Sequence, residues 1–336
     1  MRKIKTNIIV MSLLTILLTT LSLYTKDAAA ATVKLNITTN KKTYTLGEKI
    51  YFYANLTIDG TQIYDAIVAL VVKDSRNDII LVRALNATTP NPTPLPVILL
   101  KEMYPCDAQG KLKTDFKRGS VFGVKVTINN TQGAAKNVVI FATLQFSDGT
   151  TMKSIKVFNE TIPGNSESSF YMYPIATIPD TAPLGTAYFY GVALSELPEN
   201  QGYAWCPEKI TKITITSSSS STSTATEAYG NYNASISTST TGGLLGNYTV
   251  FASTFYNIWR IINQTKFEVK LVGDITGPYG VPDGKVDGID MWRVAKDFGW
   301  VGPPGGKVSD VNKDGKVDGV DMWLVAKDFG KIGQYP

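Results

Sequence analysis

One passage near the C-terminal end is written twice, and it constrains the fold more than any other feature. Residues 283–299 return as 314–330, differing only at Ile289/Val320 and Arg293/Leu324. The second copy, with the residues just before it, spells a loop for a hard divalent cation. Such an ion takes six to eight oxygens, and a twelve-residue loop supplies them from positions 1, 3, 5, 7, 9 and 12, with glycine at 6 to turn the chain. Asp310, Asn312, Asp314, the carbonyl of Lys316, Asp318 and Asp321 occupy those positions, with Gly315 as the turn and Val317 as the apolar anchor at position 8.

In the first copy Asp283, Lys285, Asp287 and Asp290 match positions 5, 7, 9 and 12. Six residues, 277–282, separate Thr276 from Asp283, so Asp274 becomes position 1 across a five-residue insertion, with Thr276 standing in at position 3. The expectation is two Ca2+ ions, the second site being the more regular.

After each loop, apolar residues recur at the spacing of one helical face: Met291, Val294, Ala295 and Phe298, then Met322, Val325, Ala326 and Phe329. Gly299 and Gly330 fit the position just past each helix end. Neither stripe can be buried alone, so the copies are expected to pack together. Trp292 and Trp323 fall at the edge of the stripe; each reads either as a partner-binding anchor or as a lid on a loop.

A loop followed by a helix, repeated, with no entering helix and with Asp at position 12, resembles the type I dockerin domain over residues 272–333. The resemblance implies a calcium-folded docking module whose family partner is a cohesin. Family members often carry a polar pair at positions 10 and 11; here these are Gly288 and Ile289, then Gly319 and Val320.

Composition narrows the rest. The chain has no histidine, which removes histidine-based nucleophile systems and the usual zinc ligands. The first thirty residues hold four of the cations and one anion, so the net charge of +5 falls to about +2 beyond them, and no nucleic-acid footprint emerges. That segment (1–30) has a basic start, an apolar run over 8–24 and small residues at 28–31, the pattern of a secretory signal peptide; an uncleaved anchor is the alternative. No second apolar span follows, so the expected location is secreted or cell-surface, with no membrane span after cleavage.

Export suits two further features. Cys106 and Cys206 are the only cysteines, expected to form one disulfide, with two free buried thiols as the alternative. Glycosylation sequons occur at Asn36, Asn55, Asn86, Asn129, Asn159, Asn233, Asn247 and Asn263.

Residues 31–87 alternate apolar and polar positions between turns and read as a β-sandwich. The segment from Lys41 to Tyr51 followed by the apolar run 66–72 looks like the Ig-like domains of extracellular bacterial and archaeal proteins, including those related to macroglobulins. A proline-rich spacer occupies 88–96, and a second sandwich is expected over 97–216, where 178–187 resembles a passage of adhesion-type Ig-like modules. A Ser/Thr-rich linker (217–246) and a short β segment (247–271) complete the chain. The whole is therefore expected to be mostly β, two Ig-like β-sandwich domains and a linker, ending in a small α module of duplicated calcium loops.

The functional expectation is a secreted, non-catalytic surface protein that docks through its calcium module to a cohesin-like protein of the envelope. One alternative is a subunit of an extracellular filament or coat, with 33–37 pairing to a neighbour. Another is a carbohydrate-binding or polysaccharide-hydrolase-associated protein, with Tyr51, Tyr53 and Tyr171 as candidates to stack on sugars.

Overall fold

The computed structural model describes residues 31–86, 97–217, 232–239, 241–277 and 280–336. The expected signal, the expected proline-rich spacer and half of the expected Ser/Thr-rich linker lie outside the described residues. The chain is mostly β, with sandwich-like sheets and two helices near its C-terminal end.

It opens with β1 (Val33–Thr39), β2 (Thr43–Thr45), β3 (Lys49–Ile58), β4 (Thr61–Ile63), β5 (Ile67–Lys73) and β6 (Ile79–Asn86). Next come β7 (Ile98–Cys106), β8 (Asp115–Lys117), β9 (Val121–Asn130), β10 (Lys136–Gln145), β11 (Ile155–Ile162), β12 (Ser166–Thr177), β13 (Gly185–Leu194) and β14 (Lys209–Thr216). These eight pair only among themselves, as a five-stranded sheet β11-β10-β13-β14-β8 facing a three-stranded sheet β12-β9-β7.

After the Ser/Thr-rich run the chain returns to the first sandwich. β15 (Tyr232–Ser237) pairs with β3, and the hairpin of β17 (Gly246–Tyr256) and β18 (Trp259–Lys270) enters the middle of the sheet β2-β18-β17-β5-β6. The linear division expected from the sequence is corrected here. Residues 232–237 and 246–270 belong to the first sandwich, and the second sandwich is inserted within it. The short β segment is thus the centre of a sheet, and the latter half of the expected linker is folded. Tyr232, Ala234 and Ile236 alternate inward between exposed or half-buried Asn and Ser residues, so β15 buries one face despite its polar composition.

The two sandwiches are fused face to face. β5 is buried on both sides: Val68, Leu70 and Val72 enter the first core, while Ala69 and Val71 meet Val139 and Phe141 of β10 and Val192 and Leu194 of β13. Double covering explains why β5 and β10 read as continuous apolar runs rather than alternating ones. Across this interface the Arg83 guanidinium donates to Glu208, with Nε to Oε2 at 2.8 Å and Nη2 to Oε1 at 2.6 Å, and lies 3.7 Å from the Tyr190 ring centroid. Glu208 also accepts from the Ala84 amide at 2.9 Å. The pair is buried yet well supplied with partners, the condition under which a buried ion pair is tolerated.

The expected disulfide does not form; Cys106 and Cys206 are both free and buried. Cys206 is hydrogen-bonded at the backbone of Leu100, near the start of β7, whereas Cys106 ends that strand. Six residues of strand separate these points by about 20 Å, far beyond the reach of an S–S bond. Burial pushes the Cys206 thiol up to about 11.

Candidate metal centre

The module follows β18 directly. Its helices are α1 (Gly288–Asp297) and α2 (Gly319–Asp328), and a last strand, β19 (Ile332–Gln334), pairs in parallel with β16 (Thr241–Leu244). Val286, Val294, Val317 and Val325 join the same hydrophobic cluster as Leu46, Leu245, Tyr248 and Leu271 of the first sandwich. The module is therefore packed on the sandwich rather than suspended from it.

The two loops are built alike. In the second, Asp310 Oδ1 accepts from the Asp314 amide at 3.1 Å, and its Oδ2 from Gly315 at 3.1 Å. Asp321 Oδ1 accepts from Val311 at 2.8 Å and Asn312 at 3.2 Å, while its Oδ2 accepts from Asp318 at 2.9 Å. Asp318 in turn caps α2 by accepting from Val320 at 2.8 Å.

The first loop repeats these bonds around its insertion. Asp274 accepts from Asp283 at 3.1 Å and Gly284 at 2.9 Å; Asp290 accepts from Ile275, Thr276 and Asp287, each at 2.9 Å; Asp287 caps α1 through Ile289 at 2.8 Å. Thr276 thus occupies the place of Asn312, and Asp274 that of Asp310. Gly284 (φ 84°) and Gly315 (φ 87°) hold the left-handed conformation that the turn at position 6 requires. An added Cβ at either would strike a carbonyl, of Gly333 or Gly302, at 2.6 Å.

Among the described residues no three acidic, cysteine or histidine side chains converge as a ready-made cluster, because each loop carboxylate is turned toward its own backbone amides. A carboxylate has about four acceptor sites, so an accepted N–H leaves room for a cation. Four Asp side chains per loop, an amide or hydroxyl at position 3 and a carbonyl at position 7 form an all-oxygen donor set that suits Ca2+. Burial, with repulsion from Asp290, raises the Asp274 carboxyl above its ordinary value despite bonds from Gly284, Tyr335 and Asp283. A bound divalent cation would reverse that shift.

The copies are joined by exchange. Val317 donates to Trp300 at 3.0 Å and accepts from Gly299 at 2.8 Å; Val286 donates to Lys331 at 3.1 Å and accepts from Gly330 at 2.8 Å. Each loop therefore pairs with the chain leaving the other copy's helix. Two residues not anticipated from the sequence complete the exchange. Asp297, ending α1, accepts from Ser309 Oγ and Lys307 Nζ, both at 2.6 Å, beside the second loop; Asp328, ending α2, accepts from the Val272 amide at 3.2 Å, beside the first. Their identical place in both copies was a visible signal. Tyr335, whose hydroxyl donates to Asp274 at 3.0 Å, left no such signal.

The helix stripes are corrected. Only Val294 and Val325 are fully buried; Met291 and Met322 are half-buried, Ala295 and Ala326 are exposed, and Phe298 and Phe329 are 58% and 57% exposed. The buried face is instead Asp290, Val294, Asp297 and its copy Asp321, Val325, Asp328, because Asp290 and Asp321 turn inward to the loop amides and Asp297 and Asp328 to the residues leading into the other copy's loop. Trp292 and Trp323 stand outward, 58% and 59% exposed, beneath the ammonium groups of Lys296 and Lys327.

Of the sequons, Asn36, Asn55, Asn159, Asn233 and Asn247 are exposed, while Asn86, Asn129 and Asn263 are half-buried, and Asn263 donates its amide to the Leu35 carbonyl at 2.7 Å.

A duplicated, mutually paired calcium-loop module defines a small docking unit. Residues 281–330 match the family model of the dockerin type I domain, and this C-terminal part is a dockerin type I module, a calcium-dependent protein-docking unit. No curated protein matches the chain in sequence. Similar solved structures include the Pseudomonas fluorescens alkylpurine DNA glycosylase AlkC (11% identity, 36% of this chain, 31% of that one, TM-score 0.28). The C-terminal domain of wzt gives 8%, 42%, 80% and 0.30, and the Listeria innocua β-glucosidase 14%, 34%, 16% and 0.23. This chain spans under a third of the glycosylase, and similarity at this level assigns neither fold nor activity.

Proposed function

We propose that the protein is a secreted, non-catalytic surface component that attaches through its dockerin module, loaded with two Ca2+ ions, to a cohesin-like protein of the cell envelope. The observation that carries the reading is the outward face of the two helices. Ile289, Trp292 and Phe298, with Val320, Trp323 and Phe329, are exposed apolar residues in matching positions of both copies. Large apolar side chains left in water at equivalent places suit a protein partner, and tryptophan is a frequent anchor of such interfaces. With Gly-Ile and Gly-Val at loop positions 10 and 11, the partner surface facing them is apolar rather than hydrogen-bonding. The pairing of copies by exchange supports loading of both loops.

The filament reading has less support, since the edge of β1 is met by β18 through the bond from Asn263 to Leu35. The docking reading is tested with the full chain as bait against solubilised envelope, in calcium and in EDTA. A protein retained only in calcium, and lost with Asp321→Ala, is the expected result; equal retention in EDTA would sink it. Occupancy of two ions is read by titration calorimetry.

A further inference from the structure

The end of the first sandwich farthest from the dockerin module carries an apolar apex. β17 and β18 pair from Gly246/Val269 to Tyr256/Trp259, ten residue steps or about 34 Å of strand, and close in a two-residue turn, Asn257 and Ile258. Asn257 has φ 55°, the left-handed conformation an asparagine takes readily. Ile258, at the apex, is 81% exposed, more than any other large apolar side chain among the described residues. Trp259, Phe255, Ile262 and the neighbouring Tyr64 are exposed as well.

The stem is rigid. Phe255 stacks on Tyr203 of the second sandwich at 4.9 Å, Arg260 lies 5.3 Å over the same ring, and the Tyr256 hydroxyl donates to Asp65 at 3.3 Å. This is a braced, convex projection and not a groove, so a partner need not be shaped to receive it. Its chemistry is graded: an aliphatic residue at the tip, tryptophan and tyrosines around it, and a guanidinium behind. That order matches the passage from acyl chains through the interfacial zone to phosphate headgroups.

A second observation concerns the stretch of chain that precedes this end. Thr32 lies toward this end, three residues before Leu35, whose carbonyl accepts from Asn263 of β18; it donates to Asp59 Oδ1 at 2.7 Å and accepts from the Asp59 amide at 3.0 Å, in the turn between β3 and β4. In sequence, only Ala31 separates Thr32 from the 1–30 segment that holds the apolar run 8–24. Retained as the uncleaved anchor that its composition also allows, that segment would hold this end against the membrane.

We propose that the turn of Asn257 and Ile258, with Trp259, Tyr256 and Tyr64, seats on a lipid bilayer surface while the dockerin module points away from it. The contact is peripheral; among the described residues no helix is long and apolar enough to span.

The test places a polarity-sensitive fluorophore on the full chain carrying Ile258→Cys. Both native thiols are buried, so the label reports the turn. Vesicles of phosphatidylcholine with phosphatidylglycerol should shift the emission blue and protect the dye severalfold from aqueous iodide. Adding Trp259→Asp should weaken the apparent partition about tenfold without changing the melting temperature. Chain bound to vesicles with its dye still fully quenchable would overturn the proposal, since the apolar run alone would then account for binding. A blue shift that grows with protein concentration in the absence of lipid would assign the turn to a second copy, and would overturn it equally.

Discussion

Asp297 shows how one carboxylate can serve a structure it does not belong to. It ends α1, yet its bonds from Lys307 and Ser309 set the approach to the second loop. Burial alone would raise this carboxyl, but those two bonds, helped by Arg293, outweigh it and hold it below the usual range. A depressed folded value contributes stability above the ordinary carboxylate range, and the contribution fades as pH falls through the depressed value. Asp297→Asn should therefore lower stability by about 1 kcal/mol at neutral pH, allowing for solvent screening, with the difference from wild type vanishing in acid. Denaturant melts of both chains at several pH values in EDTA check this.

At the scale of elements, the helices turn a ring of exposed residues outward. Replacing Trp292 and Trp323 together by alanine should weaken capture of the docking partner by about thirtyfold, roughly 2 kcal/mol, while the calcium-bound melting temperature stays nearly unchanged. Binding assays and calorimetry on the same preparation separate the two effects. These helices also show where the sequence could and could not be read. The loops were legible because metal ligation fixes residue type at each position, and duplication displays the pattern twice. The buried helical face was not, because apolar periodicity assumes that apolar residues point inward, and here Asp290 and Asp321 take the inner face to satisfy loop amides while Asp297 and Asp328 take it to bond the residues that lead into the other copy's loop. Strand existence was likewise readable from alternation in β3, whereas pairing was not: nothing local to β5 says that its neighbour β17 lies beyond an inserted domain.

At the scale of the whole molecule, the two sandwiches share a sealed interface. Arg83→Ala would leave Glu208 buried with the Ala84 amide as a remaining partner and should cost about 3 kcal/mol or more, seen as a lower melting temperature. Reductant, by contrast, should leave the melting curve unmoved, because no disulfide ties the fold. A lasting drop in melting temperature with dithiothreitol would contradict the free thiols.

The insertion of one sandwich in the other also orders events in time. A chain leaving the ribosome or a translocation channel delivers β1 to β6 first, but the sheet that holds β2, β5 and β6 lacks its central strand until residue 256 has emerged. The inserted sandwich draws on no strand outside residues 98–216 and can close meanwhile. The outer domain must hold its apolar strands open through that interval, a long-range closure of the kind that is slow and exposed to aggregation. The first-made part of this protein is thus the later to fold, and the completed inner domain becomes the surface on which it does so.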